Sequence, residues 1–298
     1  MEIVEPNQNP FDLDSVPAEL SLNESGFQTF NDLAERVLKR IFSFLSGEGK
    51  ICCVAMVFDR YDHPNSIKQQ ERQRRGAVGD AGPTHVISGH TKLPNYRRYL
   101  SRSGNKALLS VFVSNYITRT DPCRLTEDQT IILAGGFEDT EETKTILKDR
   151  VESLVDLMSD QEEADTRIVL HAIHLAKTYK RVIIKCDDTD VLVLLLYYAS
   201  CSMFGSALVL MHKGKTGKER FVPIKMICEK LGKALCQCLP ACHALTGCDT
   251  TSSFFKIGKS TAFTKMQKHV DELNGLSHFG LTGNLADSLP MARLCTHF

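Results

Sequence analysis

The amino-acid sequence predicts an α/β fold: a mainly parallel sheet with helices on both faces. Three observations carry that expectation. Short apolar runs of strand length, at residues 51–58, 130–134 and 181–185, alternate with longer segments whose apolar residues recur at helical spacing. Each has an apolar centre, as expected of strands in a sheet covered on both faces. The chain of 298 residues is 42% hydrophobic, which supplies a sizeable core and excludes disorder throughout. Its nearest approach to a membrane span, residues 191–199, falls well short of the roughly 18–20 apolar residues that a span needs.

Residues 1–26 carry Pro6, Pro10 and Pro17 with little periodicity, and are expected to form a poorly ordered lead-in. Their acidic start lacks the basic-then-apolar order of a signal peptide. From residue 27 the pattern changes. Phe30, Leu33, Val37, Leu38, Ile41, Phe42 and Leu45 predict an amphipathic helix, closed by Gly47 and Gly49. Residues 51–58 predict a buried strand ending on Asp59. Residues 66–75 are polar and basic, suited to a helix capped by Asn65 or Ser66. A Gly-rich loop is expected over 76–94, a helix over 106–116, and a strand over 130–134 that stops at Gly135-Gly136. Two acidic amphipathic helices are predicted at 140–158 and 162–179, the second leading into the strand 181–185. Residues 190–199 suit either a helix start or a further apolar stretch. Residues 207–211 and 220–223 flank a Gly-Lys-Thr-Gly turn and predict a hairpin. A helix over 224–239 follows, then short helices and turns. The expected organisation is the lead-in (1–26), one α/β domain (27–240) and a C-terminal helical part (241–298).

Charge is balanced only in total, at 36 Lys+Arg against 36 Asp+Glu. Residues 60–106 hold ten basic and three acidic residues, whereas residues 138–165 hold eleven acidic and three basic. A basic segment suits a phosphate backbone, and a carboxylate cluster suits divalent cations; an unevenly charged solvated surface is the plainer alternative.

Four stretches place carboxylates at strand ends or helix starts: Phe58-Asp59; Glu162-Glu163-Ala164-Asp165-Thr166-Arg167; Asp187-Asp188-Thr189-Asp190; and Gly247-Cys248-Asp249. In a parallel α/β sheet, ligand sites form at the carboxyl ends of strands, so such acids can share a crevice. Converging carboxylates repel one another unless a cation such as Mg²⁺ joins them. Each stretch has a structural alternative. Glu162 and Glu163 can complement a helix dipole, and Asp187, Asp188, Asp190 and Asp249 can cap helices.

The order of these stretches resembles the flap-endonuclease-like branch of the PIN nuclease superfamily. That family runs a strand ending in Phe-Asp, an acid-x-acid pair on a helix, an Asp-x-Asp after a strand, and Gly-x-Asp before a helix–turn–helix containing Gly-Ile-Gly. The counterparts here are Phe58-Asp59, Glu163-Ala164-Asp165, Asp188-Thr189-Asp190, and Gly247-Cys248-Asp249 with Ile257-Gly258-Lys259-Ser260. The stretches 162–167, 188–194 and 243–251 bring it closer to a divergent, mobile-element-associated animal group than to replication or repair enzymes. The resemblance implies a three-layer Rossmann-like sandwich with a C-terminal helix–turn–helix that clamps a DNA backbone. It also implies metal ligation by Asp59, Glu163, Asp165, Asp188, Asp190 and Asp249, with Mg²⁺ or Mn²⁺ in a two-metal site. Lys68 and Arg72 would hold the scissile phosphate. Arg74, Arg75, Gly258, Lys259 and Ser260 would contact nucleic acid, with a K⁺ ion at the helix–turn–helix. The family opens on a further strand bearing a metal-binding Asp; the corresponding place here is the Pro-rich lead-in with Asp12 and Asp14, so that strand is expected to be missing.

Two expectations follow. One is a structure-selective nuclease that hydrolyses DNA or RNA through a metal-activated water, nuclear in location. The other is a decayed nuclease that binds nucleic acid without cutting it, or an interaction module on the same sheet. Eleven cysteines, odd in number and scattered through apolar segments, are expected to be reduced thiols of an intracellular protein with no disulfide partner. Cys236, Cys238, Cys242 and His243 invite a zinc site, but Cys-x-Cys within a helix points its thiols apart, so buried thiols are expected. His171 and His174 read as core or surface histidines.

Overall fold

The computed structural model of the chain describes residues 28–46, 51–60, 87–95, 99–100, 102–120, 124–214, 218–248, 251, 258–272 and 274–278. The expectations for residues 1–26, for the basic helix at 66–75 and for Asp249 lie outside these. The chain divides into two compact units, one reaching Arg167 and the other running from Ile168 to Gly214 and resuming at Lys218.

The first unit opens on α1, Phe30–Leu45. Thr29 Oγ1 accepts from the Asp32 amide, and the Asp32 carboxylate accepts from the Thr29 amide at 2.9 Å, a reciprocal cap on two otherwise unpaired donors. The backbone hydrogen bond from Gln28, with those from Thr29, holds the Asp32 carboxyl below its ordinary value. One face of α1 buries Phe30, Leu33, Val37, Leu38, Ile41 and Leu45, six of the seven residues whose spacing predicts the helix.

Strand β1, Cys53–Val57, pairs in parallel with β2, Thr130–Ala134. Between them in sequence lies α2, Ser103–Arg119, which buries Leu109, Val113 and Ile117. Met56, Ile131 and Leu133 join these side chains and α1 in one core.

The acidic segment predicted as a helix over 140–158 is instead a hairpin. Strand β3, Thr143–Ile146, pairs antiparallel with β2 and with β4, Val151–Ser153. Thr143, Thr145, Ile146 and Val151 are β-branched, which favours strand over helix. The turn closes with Leu147 N donating to Arg150 O at 2.9 Å. Buried Thr143 donates its hydroxyl to Leu157 O, tying the hairpin to the 3₁₀ turn Val155–Leu157.

Helix α3, Ala164–Ala176, contains the division between the units. In the second unit, β5, Arg181–Lys185, pairs in parallel with β6, Leu208–Lys213, and β6 pairs antiparallel with β7, Arg220–Pro223. The predicted hairpin is present. Each sheet among the described residues therefore combines one parallel pair with antiparallel additions. Helix α4, Thr189–Ser200, shares a core with β5, β6, α5 (Ile224–Leu231) and α6 (Lys233–Leu245), to which Val191, Leu195, Met211, Ile224 and Leu239 contribute. The helix predicted over 224–239 is thus two. Gly232, at φ +84°, ends α5 and opens α6 in a conformation that side chains other than glycine rarely adopt. Helix α6 continues beyond the predicted end, through Pro240, and α7, Lys259–Lys268, follows.

His212 of β6 is buried, stacked on Phe221 at 4.6 Å between ring centroids, and its Nε2 finds no hydrogen-bond partner among the described residues. Burial, and then Lys185, push its imidazole below the ordinary value; Glu219 and Asp187 oppose them. The unfolded chain therefore takes up this proton more readily. The neutral-His contribution is fully present above about pH 6.5 and is lost as pH falls below it. His212→Phe, which keeps the stacked ring, is expected to flatten the fall in denaturant midpoint between about pH 7 and about pH 5. An unchanged slope would refute the role of His212.

Candidate functional site

In the first unit, β1 delivers Asp59 immediately after buried Phe58, whose amide donates to Ala134 O at 2.9 Å and extends the β1–β2 pairing. Asp59 Oδ1 accepts from Ala164 N, the first amide of α3, at 2.7 Å. That one contact joins residues 105 apart in sequence and brings Asp59 to the turn bearing Glu163 and Asp165. A helix start leaves amides without intrahelical partners, and a carboxylate there also complements the helix dipole.

Two arginines offset the negative charge. Arg60 donates its amide to Glu162 O at 2.9 Å and its guanidinium to Asp160 O, and lies 3.6 Å from Glu141. Arg167, with no exposed surface, donates from Nη1 to Phe58 O at 3.2 Å. Its Nε and Nη2 find no hydrogen-bond partner among the described residues. Burial lowers the Arg167 pKa from its ordinary value and the like charge of Arg60 lowers it further, while Asp59 and Glu141 oppose this. Gly135, at φ +69°, makes room for this side chain: a Cβ there would lie 2.6 Å from Arg167 Nη1. Elsewhere in the acidic segment, exposed pairs such as Arg150–Glu152 at 2.7 Å account for part of the charge.

In the second unit, Asp188 caps α4. Its Oδ1 accepts from Asp190 N at 2.9 Å, the capping role that the sequence left open beside metal ligation. Asp187 instead accepts from Gly214 N at 2.6 Å and ties down the end of β6. Asp190, in the first turn of α4, accepts at Oδ1 from His243 Nε2 of α6 at 2.8 Å. A carboxylate only accepts, so Nε2 carries the proton in this bond.

Sequence reasoning assigned no role to Arg60 or Arg167, and weighed His243 only with the cysteines. Arg167 closes the stretch Glu162-Glu163-Ala164-Asp165-Thr166-Arg167 and His243 opens another recognised stretch, which were the available signals. Among the described residues, Cys236, Cys238, Cys242 and His243 do not gather into a group that could hold a metal ion. Cys236 and Cys238 are buried, and burial, then Cys228, push the Cys236 thiol up to about 12, away from the thiolate that binds zinc. No two of the nine cysteines among the described residues form a disulfide with one another. His171 is buried and His174 partly so.

Lys68, Arg72, Arg74 and Arg75 lie outside the described residues. Gly258 precedes α7 at φ −81°, an ordinary conformation, and a Cβ there would meet nothing within 4 Å; Lys259 and Ser260 in the first turn are exposed. Among the described residues no helix is long and apolar enough to cross a membrane.

Comparison of the chain with known protein families, with characterised proteins and with solved structures gives no match.

Proposed function

We propose that the protein is a divalent-metal-dependent, structure-selective nuclease-like protein acting on phosphodiester bonds of DNA or RNA, with the PIN-like sandwich and C-terminal clamp that the motif order implies, and nuclear in location. The observation that carries this reading is the Asp59–Ala164 contact, which joins two of the four acidic stretches across 105 residues.

The chemistry of the donors fits a hard cation. Asp59 and Asp188 each engage Oδ1 with a backbone amide. An ionised carboxylate retains acceptor capacity on its second oxygen, and Mg²⁺ and Mn²⁺ favour oxygen ligands. The proposed ligands are Asp59, Glu163 and Asp165 in the first unit, and Asp188, Asp190 and Asp249 in the second. A divalent ion, when bound, supplies Lewis-acid stabilisation of a phosphodiester. The chain's own groups orient the ligands: the α3 amide fixes Asp59, the α4 amide fixes Asp188, and Arg60 and Arg167 balance the charge around Asp59. Lys68 and Arg72 are proposed to hold the phosphate, with Arg74, Arg75, Gly258, Lys259 and Ser260 along the strand and K⁺ at the clamp.

Labelled flap, bubble and single-stranded substrates with Mg²⁺ test this. Cleavage is expected from the wild type and at least about tenfold less from Asp188→Asn, a loss of about 1.4 kcal/mol of transition-state stabilisation or more. Asparagine preserves the α4 cap, so the comparison isolates the charge. Equal rates would sink the assignment.

The basic segment at residues 60–106 supports the second reading, a decayed nuclease that retains binding. It predicts salt-sensitive binding lost on substitution of Lys68, Arg72, Arg74 and Arg75, without metal-dependent turnover.

A further inference from the structure

We infer that His243 is a positioning residue for Asp190, holding its carboxylate in a fixed orientation for a divalent cation; the inference rests on the metal-dependent reading above. Three observations support it. His243 Nε2 lies 2.8 Å from Asp190 Oδ1, with side-chain exposures of 12% for the histidine and 31% for the aspartate. The imidazole is thus the more deeply seated partner, and the carboxylate is the part open to a ligand. The backbone of Asp190 is fixed independently, because its amide donates to Asp188 Oδ1 at 2.9 Å. With the main chain tied to one neighbour and Oδ1 to another, the carboxylate loses the rotational freedom that ligation would otherwise have to remove.

The histidine is itself held. It occupies the last turns of α6, where Thr246 Oγ1 donates to Cys242 O at 2.8 Å and to His243 O at 3.2 Å. The neighbouring α6 residues Leu239 and Ala241 are buried in the core that α4 shares. Groups that hydrogen-bond a ligating carboxylate from behind tune metal affinity by about 10–100-fold. An imidazole N–H donated from Nε2 serves this purpose.

The probe is Mn²⁺ alone, titrated into the full chain and followed by the electron paramagnetic resonance signal of the free ion. Thermal melts report folding. His243→Phe, which cannot donate, is expected to weaken Mn²⁺ binding about 10–100-fold. His243→Gln, which can present an amide N–H near the position of Nε2, is expected to recover most of the affinity. In an Asp190→Asn background, His243→Phe is expected to add little, because the residue acts through Asp190. If the phenylalanine variant fails to fold, His243→Asn, too short to reach Asp190, replaces it. Wild-type affinity in folded His243→Phe or His243→Asn would overturn the inference and leave the metal-dependent reading standing. Failure of the wild type to bind Mn²⁺ would overturn that reading and this assignment with it.

Discussion

Gly136→Ala is expected to lower the unfolding free energy by about 2–5 kcal/mol, read from the denaturant midpoint. Gly136 follows β2 at φ +68°, and an added Cβ would meet Ser114 Oγ at 2.6 Å, Phe58 Cδ2 at 2.8 Å and Ser110 O at 3.0 Å. Two costs add. The left-handed backbone costs a residue with a Cβ about 1–2 kcal/mol, and overpacking a close contact costs about 1–3 kcal/mol. Serine's hydroxyl can rotate away. The Ser110 carbonyl belongs to α2 and cannot move without that helix, while Phe58 is buried and precedes the candidate ligand Asp59. Gly205→Ala separates the terms. Gly205 is also left-handed, at φ +54°, but nothing lies within 4 Å of its added Cβ. Its substitution is expected to cost only the backbone term, about 1–2 kcal/mol. Equal losses at the two positions would rule out the close approach of β2 to α2 and Phe58.

The same turn shows why some of the fold was legible in the sequence and some was not. Strands β2 and β5 have the predicted boundaries because each is an apolar run bounded by polar residues or glycine, a local signal. The Gly135-Gly136 stop is visible for the same reason, whereas what the glycines admit, Arg167 against Gly135 and Ser114 against Gly136, depends on residues distant in sequence. The hairpin Thr143–Ser153 was read as a helix because its acids dominate the pattern. Those acids are largely surface charges; the deciding side chains are Thr143 and Ile146, both buried in β3, an element too short to show a period, while β4 is exposed throughout. Likewise a single residue, Gly232, divides the apolar pattern that suggested one helix over 224–239, and parallel against antiparallel pairing is fixed by partners no local window contains.

The candidate site divides similarly. Strand-end and helix-start acids were legible as residue types at characteristic places, and Asp59, Glu163 and Asp188 occupy such places. Their hydrogen-bond partners were not legible. Asp59 to Ala164 and Asp190 to His243 are contacts across 105 and 53 residues, respectively. Arg167 illustrates the limit most clearly: a charged residue on an apolar helix resembles a surface residue in the sequence, yet it is fully buried beside Phe58.

Asp59→Asn and Asp59→Ala are expected to separate the two roles that the structure and the proposed function assign to this carboxylate. Its Oδ1 satisfies the first amide of α3, a cap supplied from β1 rather than from the preceding residue. Alanine removes that acceptor, at an expected cost of about 1–2 kcal/mol. Asparagine keeps an oxygen in the same place and gives up the charge, with its attraction to the helix dipole, about 0.3–1 kcal/mol, and its attraction to the buried Arg167 guanidinium. Metal-dependent cleavage should respond differently. If Asp59 supplies an anionic oxygen to a divalent ion, both variants lose several kcal/mol of transition-state stabilisation, about 10²–10³-fold in rate. Expected, therefore, are an alanine variant that is less stable and inactive, and an asparagine variant that is more stable than the alanine variant and equally inactive. Full activity in Asp59→Asn would reduce Asp59 to a helix cap, and would leave the first unit without a demonstrated part in the chemistry.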